Sequence, residues 1–399
     1  MLNKAASISL IVFCQVAGMT LWFSATAAAS VMVAAGALSG QQAALLTGAV
    51  QLGFVAGTLC SALLGLADRI DPRRLFAAAA LFGATAYLLL LSTGFDSVVT
   101  MILRFITGAA LAGVYPVGMK MAASWAKRGV GLMIGTLVGA LTLGSSLPYL
   151  FNSVSGLEWQ TTIIASSICA VVAALGILLI GLGPRHQIAA KFRAVEALNA
   201  LRRRPMLLAN AGYLGHMWEL YAMWTWIGVF LGWALRQAGS PIASHTGLIT
   251  FCVIASGAFG CVLAGLLADR IGRTTVTIAS MVISGSCAAV IGFLPEAGAA
   301  VLIIVAIVWG VSVIADSAQF SACVTELADP HLIGTMLTLQ TCAGFLLTFL
   351  TIQIMPVVIQ ALGWRYAFAV LAIGPAFGAV AMLKLRIEPE SLRLAAGQR

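Results

Sequence analysis

Five ionisable side chains stand inside long apolar runs of this sequence: Arg104, Lys120, His216, Glu219 and Asp316. At bilayer depth such a group costs at least about 2.5–3.5 kcal/mol to insert, so each is a candidate for function before it is a candidate for packing. In GYLGHMWELYAMWTW, Gly212 to Trp226, helical spacing puts Tyr213, His216, Glu219 and Met223 on one stripe. A histidine titrating near neutrality one turn from a carboxylate makes a proton-binding pair, or else a structural hydrogen bond tying this helix to a neighbour. The flanking Trp218, Tyr221, Trp224 and Trp226 read as packing or interface anchors ahead of ligand stackers. A second stripe carries Trp309, Ser312, Asp316, Gln319 and Cys323. There Asp316 is either a second proton site or the counter-ion of a deep cation. Arg104, Gly108, Leu111 and Tyr115 share a third face, and Lys120 follows past Pro116, where it either snorkels to the interface or points inward. If both cations face a cavity, its first half is positive and favours an anion. Gln15, Met19, Trp22 and Thr26 give a fourth face of hydrogen-bonding and aromatic groups suited to a cavity wall, or to helix packing.

These groups must be positioned by membrane helices. The chain is 61% hydrophobic and only 9% charged, against roughly 25% charged in soluble domains, which excludes a soluble globule. Apolar runs long enough to cross a bilayer lie at 7–35, 41–66, 74–93, 97–122, 130–151, 160–183, 206–235, 244–267, 274–294, 298–323, 334–359 and 364–384, which predicts twelve spans. The first is too long for a signal-peptide core. With the N-terminus inside, one side holds Lys4, Arg69, Arg73, Arg74, Lys127, Arg128, Arg185, Lys191, Arg193, Arg202 to Arg204, Arg270, Arg273, Lys384, Arg386, Arg393 and Arg399. The other side holds Arg236 and Arg365. This positive-inside asymmetry places both termini in the cytoplasm and accounts for the net charge of +9 without nucleic acid. The eight cysteines fall in apolar runs with no CxxC pair, so neither a metal nor a cofactor is expected.

The long connection Pro184 to Pro205 divides the spans six and six. Ile188, Phe192, Val195, Leu198 and Leu201 recur in it at helical spacing, which predicts an amphipathic helix on the inner membrane face, a plain linker before a regulatory element. The expected organisation is a first bundle over 1–183, a linker over 184–205, a second bundle over 206–384 and a tail over 385–399. The loops GLADRIDPRRL (Gly65 to Leu75) and GLLADRIGRTTV (Gly265 to Val276) share ADRI at an offset of 201 positions, the mark of two homologous halves.

Both loops resemble the G-x-L-A-D-R-x-G-R-R signature of the major facilitator superfamily, and RFITGAALAG, with Arg104, Gly108 and Gly113, is similar to that family's arginine-then-glycine pattern. The first loop departs from the signature at Leu64 and at Asp71-Pro72. The resemblance implies an all-α integral membrane fold of two homologous six-helix bundles, and a proton-coupling role for Arg104. In physical terms, Asp68 and Asp269 can face a helix N-terminus while Arg69, Arg73, Arg270 and Arg273 reach acidic or lipid partners, contacts made in one conformation and broken in another.

The function expected is secondary active transport by proton-coupled alternating access, with lipid, protons and a small solute as partners and a monomer as the working unit. No G-x-x-x-x-G-K-[ST] stretch is present for ATP hydrolysis. The proton candidates are His216, Glu219, Asp316 and Arg104. The substrate candidates are Gln15, Trp22, Arg104, Tyr115, Lys120, Tyr213, His216, Met223, Trp309, Ser312 and Gln319. A small anion is the expected cargo, and spans one, two and four resemble nitrate, nitrite and cyanate porters in style, although spans two and eight lack those porters' arginines. The alternative is a proton-driven exporter of amphipathic cations, where relatives carry G-P-x-x-G-G and this chain has GALTLGSSLP, Gly139 to Pro148. A non-transporting sensor or a membrane enzyme is the alternative from another class. The expected location is a multi-pass position in a bacterial inner membrane.

Overall fold

The computed structural model describes residues 3–95, 97–125, 130–154, 159–184 and 192–399. Lys127, Arg128, Arg185, Ile188 and Lys191 lie outside the described residues. Among those described, the regular structure is all helical. The first half holds α1 (Lys4–Ala34), α2 (Gly40–Leu64), the short α3 (Leu66–Arg69), α4 (Pro72–Leu88), α5 (Val98–Leu111), α6 (Tyr115–Ala123), α7 (Val130–Val154) and α8 (Trp159–Ile177). After α9 (Ala194–Leu201) the second half holds α10 (Arg204–Gln237), α11 (Thr246–Ile271), α12 (Arg273–Val290), α13 (Ala299–Ala315), α14 (Ser317–Leu327), α15 (Ile333–Ala367) and α16 (Ile373–Ile387).

Helix ends follow local chemistry. Asn3 caps α1 by accepting from the Ala6 N–H, and Ser39 with Gln42 forms a reciprocal capping box on α2. The two repeat loops solve one turn differently. In the first, Gly65 ends α2 at φ 61° and Asp71 caps α4 with Pro72 as its first residue. In the second, α11 runs on through Ile271 and the chain turns at Gly272, φ 94°. The departure at Asp71-Pro72 is therefore a helix cap. Arg73 grips the Asp71 carboxylate with two nitrogens, at 2.6 and 3.0 Å, and this pairing holds the Asp71 carboxyl down to about 2.

Ten helical segments among the described residues are long and apolar enough to cross a membrane. One of them, Ile333–Ile387, contains both α15 and α16. Its backbone turns at Gly363, φ 68°, between the two runs expected there. The ten do not include α10, whose 34 residues reach about 51 Å but include Asn210, His216 and Glu219. Phe82, Phe259, Ile304 and Phe377 are exposed on the outer surface, the arrangement a bilayer requires. In the connection, α9 packs against α15 with Ala197 buried, whereas Val195 and Leu198 point outward.

Within the first half α1 packs on α7 and α8, and α2 on α5; within the second, α10 packs on α15 and α16, and α11 on α13. The halves meet where α7 lies along α11, α2 along α15 and α1 along α10. The fourth run of each half is broken, at Ala112–Val114 between α5 and α6 and at Asp316 between α13 and α14. Tyr115, the first residue after the one break, and Asp316, the residue at the other, are 201 positions apart, the period of the ADRI repeat.

Candidate functional site

His216 and Glu219 leave α10 toward different neighbours, since three residues along a helix rotate a side chain by about 60° from its starting direction. Glu219 accepts hydrogen bonds from Trp309 Nε1 at 2.7 Å and Ser284 Oγ at 2.9 Å, on α13 and α12. His216 instead places Nδ1 2.9 Å from Asp316 Oδ1 at the break of the tenth run. The contact is an ion-pair distance without a hydrogen bond at Asp316 Oδ1, and the other ring nitrogen, His216 Nε2, is also buried without a hydrogen-bond partner. The expected His216 with Glu219 pair is thus replaced by two sites. The helix break also splits the stripe on the tenth run. Trp309 serves Glu219, Ser312 donates to the Val308 and Trp309 carbonyls, and Gln319 accepts from Arg273 at 2.9 Å.

The two deep cations of the first half turn away from any common chamber. Arg104, fully buried, donates to the carbonyls of Leu46 (3.3 Å), Leu21 (3.1 Å) and Trp22 (2.8 Å), with its guanidinium 5.4 Å from the Tyr87 ring centroid. It pins α5 to α1 and α2. Lys120 donates to the Ala67 carbonyl at 2.9 Å and pairs with Asp68. Its side chain therefore belongs to the repeat loop, a third outcome beside snorkelling and facing inward. With both cations engaged, the inference of a positive cavity has no free carrier among these residues.

Each repeat loop is tied to the second segment of its broken run, with charges reversed. In the first half Asp68 of the loop meets Lys120 of α6; in the second Arg273 meets Glu326 of α14 at 2.6 and 2.8 Å. Arg273 also stands 3.7 Å from Asp269, whose carboxylate lies against Gly131 in the first turn of α7. Arg73 additionally donates to the Ile180 carbonyl, while Arg69 and Arg270 are exposed. The C-terminal segment closes over the second loop. Ala395 N–H donates to Glu326, and the Arg399 carbonyl accepts from the Thr274 N–H and hydroxyl.

At the junction of the halves four helices contribute one ring each. Trp22 of α1 and Phe345 of α15 each lie 4.7 to 5.9 Å, centroid to centroid, from Phe54 of α2 and Tyr221 of α10, and 5.3 Å from each other. Tyr213 packs against Gly344 of α15, where a β-carbon would stand 2.4 Å from its ring, and 6.3 Å from His216. Tyr115 is half-buried, and Met223 is fully buried. Gln15 is fully buried with both amide ends unpartnered, its Oε1 lying against Gly118 of α6. Gln15 and His216 are also 201 positions apart, so the same place in each half faces its broken run. Sequence reasoning missed Gln51, Gln340, Ser284 and Glu326. A lone amide in each apolar run, GAVQLGF and LTLQTCAGF, was the available signal for the first two.

The Major Facilitator Superfamily model matches residues 8–352 and 220–399. Two crystal structures of the nucleoside transporter NupG, one of a point mutant, share this fold with TM-scores of 0.74 at 16% sequence identity. They cover 96% and 97% of this chain and 100% of their own. No curated protein matches. A family match across most of the chain, on an all-helical fold of apolar spans with a repeated loop in each half, means that this chain belongs to the Major Facilitator Superfamily of membrane transporters.

Proposed function

We propose that this chain is a proton-coupled secondary transporter of a small solute. It crosses a bacterial inner membrane twelve times, its halves over 1–183 and 206–384 rock about the junction described above, and both termini are cytoplasmic. One observation carries the reading. His216, Glu219 and Asp316 are each at most 2% exposed, on helices that meet inside the second half, and among the described residues their side chains have only one another, Trp309 and Ser284 as polar partners in hydrogen-bond or ion-pair range. Ionisable groups kept at that depth without an arginine or lysine beside them serve proton relays far more readily than they serve stability.

The mechanism follows from where the groups sit. Asp316 occupies the break between α13 and α14, so gain or loss of its proton changes the contact with His216 at a joint where two helical segments turn. That charge change biases the equilibrium between conformations by the difference in contact energy between them. Glu219, held by Trp309 and Ser284, is the second carboxyl able to carry a proton across the cycle. The anion reading loses support, because Arg104 and Lys120 are engaged by carbonyls and by Asp68.

Proteoliposomes with and without an imposed pH gradient test this, with a panel of labelled small solutes. Wild type accumulates one of them only with the gradient. Glu219→Gln, which imitates the protonated carboxyl, still exchanges that solute but no longer accumulates it. Uphill uptake by Glu219→Gln equal to wild type removes Glu219 from coupling, and the same result with Asp316→Asn sinks the proton-coupled reading.

A further inference from the structure

The charged groups at membrane depth are engaged inside their own half of the protein. Arg104 is held by three carbonyls, Glu219 by an indole and a hydroxyl, and His216 and Asp316 by each other. On the four helices that join the halves, the buried polar groups left over among the described residues are mostly amides and indoles. Both ends of the Gln15 and Gln51 amides, the Gln340 amide nitrogen, the Trp22 and Trp224 indole N–H groups and His216 Nε2 have no hydrogen-bond partner. Each of these side chains is at most 3% exposed. A buried polar atom without a partner costs about 1–3 kcal/mol, so a cluster of them is not retained for stability.

They are also placed together. Trp22, Phe54, Tyr221 and Phe345 bring α1, α2, α10 and α15 to one aromatic junction between the halves. On its own helix each of these six side chains lies within about two turns of that junction. Gln15 precedes Trp22 by seven positions, Gln51 precedes Phe54 by three, Gln340 precedes Phe345 by five, and His216 and Trp224 bracket Tyr221. All four helices belong to the contact between halves, the surface that alternating access must open.

We infer that the transported solute is uncharged and planar, with hydrogen-bond donors and acceptors along its edge and an apolar face for the aromatic junction. Amides supply both a donor and an acceptor, so their complement supplies both as well. Indole N–H groups only donate, which requires acceptor oxygens or nitrogens on the solute. A fixed charge on the solute would enter a desolvated junction whose rings and amides carry no counter-charge, Asp316 standing in ion-pair range of His216, the costliest form of burial. The inference rests on the transporter reading and adds to it the class of cargo.

The test is binding by the purified full chain in detergent, read as a thermal shift, with three planar probes of similar size: uracil, benzoate and benzamidinium. Uracil raises Tm and the two ions do not. Gln15→Leu and Gln340→Leu are the diagnostic variants. Removing an unpartnered amide leaves the ligand-free Tm unchanged or raised, whereas it weakens uracil binding by about tenfold or more, the loss that follows from one unmade buried hydrogen bond. The inference is overturned if benzoate or benzamidinium stabilises in place of uracil, if no probe binds, or if both variants lower the ligand-free Tm and bind uracil as wild type does. Because no proton gradient is involved, failure of proton coupling in liposomes and failure here are separate results.

Discussion

Arg104 shows why the type of a residue did not disclose its task. An arginine in an apolar run advertises charge, yet its three nitrogens are spent on carbonyls of α1 and α2, where the fork geometry of the guanidinium matters as much as its charge. Arg104→Lys keeps the charge and loses the fork. We expect apparent Tm to fall by the equivalent of about 2 kcal/mol or more, since hydrogen bonds from a charged group are worth about 1.5–3 kcal/mol each, with transport falling alongside. Wild-type transport and Tm in this variant would show that charge alone is used. Lys120 is a similar case. Its position past Pro116 was legible, but its partner Asp68 stands 52 positions away and no local pattern points there. The polarity of Gln15 was visible, whereas its lack of a partner is a property of the packed interior.

Among elements, glycine decides how closely helices approach. A β-carbon on Gly108 would stand 2.1 Å from the Val50 carbonyl oxygen, and one on Gly53 would stand 1.9 Å from that of Phe105, so α2 and α5 touch through backbone. Gly108→Ala therefore overpacks a contact that cannot yield, and apparent Tm in detergent should drop by the equivalent of about 1–3 kcal/mol. An unchanged Tm would mean that α2 and α5 separate at little cost. The arginine-then-glycine pattern was readable in the sequence, and α2 as the helix it packs against was not. Likewise the run 298–323 read as one span, and its break at Asp316 escaped notice because no proline or glycine marks it. The break became visible only with His216 opposite.

Over the whole molecule, the two halves meet along two lines of contact, α7 with α11 and α2 with α15, and the proposed alternating access requires these to open in turn. Along the first, Gly131, Gly135 and Gly139 face Gly265, Cys261 and Ala258. The β-carbon of a residue at 139 would stand 3.7 Å from that of Ala258, close to the roughly 3.8 Å of a natural disulfide. Gly139→Cys with Ala258→Cys should bridge on oxidation, locating by mass spectrometry between α7 and α11. Transport should stop when the bridge forms and return on reduction. Transport at the wild-type rate with the bridge complete would show that this line of contact stays closed throughout the cycle.

What the sequence determined by itself rests on quantities that add along the chain. Apolar length identified membrane helices, and the ADRI repeat together with the arginine-then-glycine pattern pointed to the superfamily. Capping at Ser39 and Asp71 is equally local, because a cap is made with residues two or three positions away. Tertiary structure decided which groups meet. His216 reaches Asp316 across 100 positions, Trp309 reaches Glu219 across 90, and Arg273 reaches Glu326 across 53. A stripe on one helix reports which side chains share a face, but the chemistry of a buried charge is set by what the opposing helix presents, and that follows only from how the helices pack.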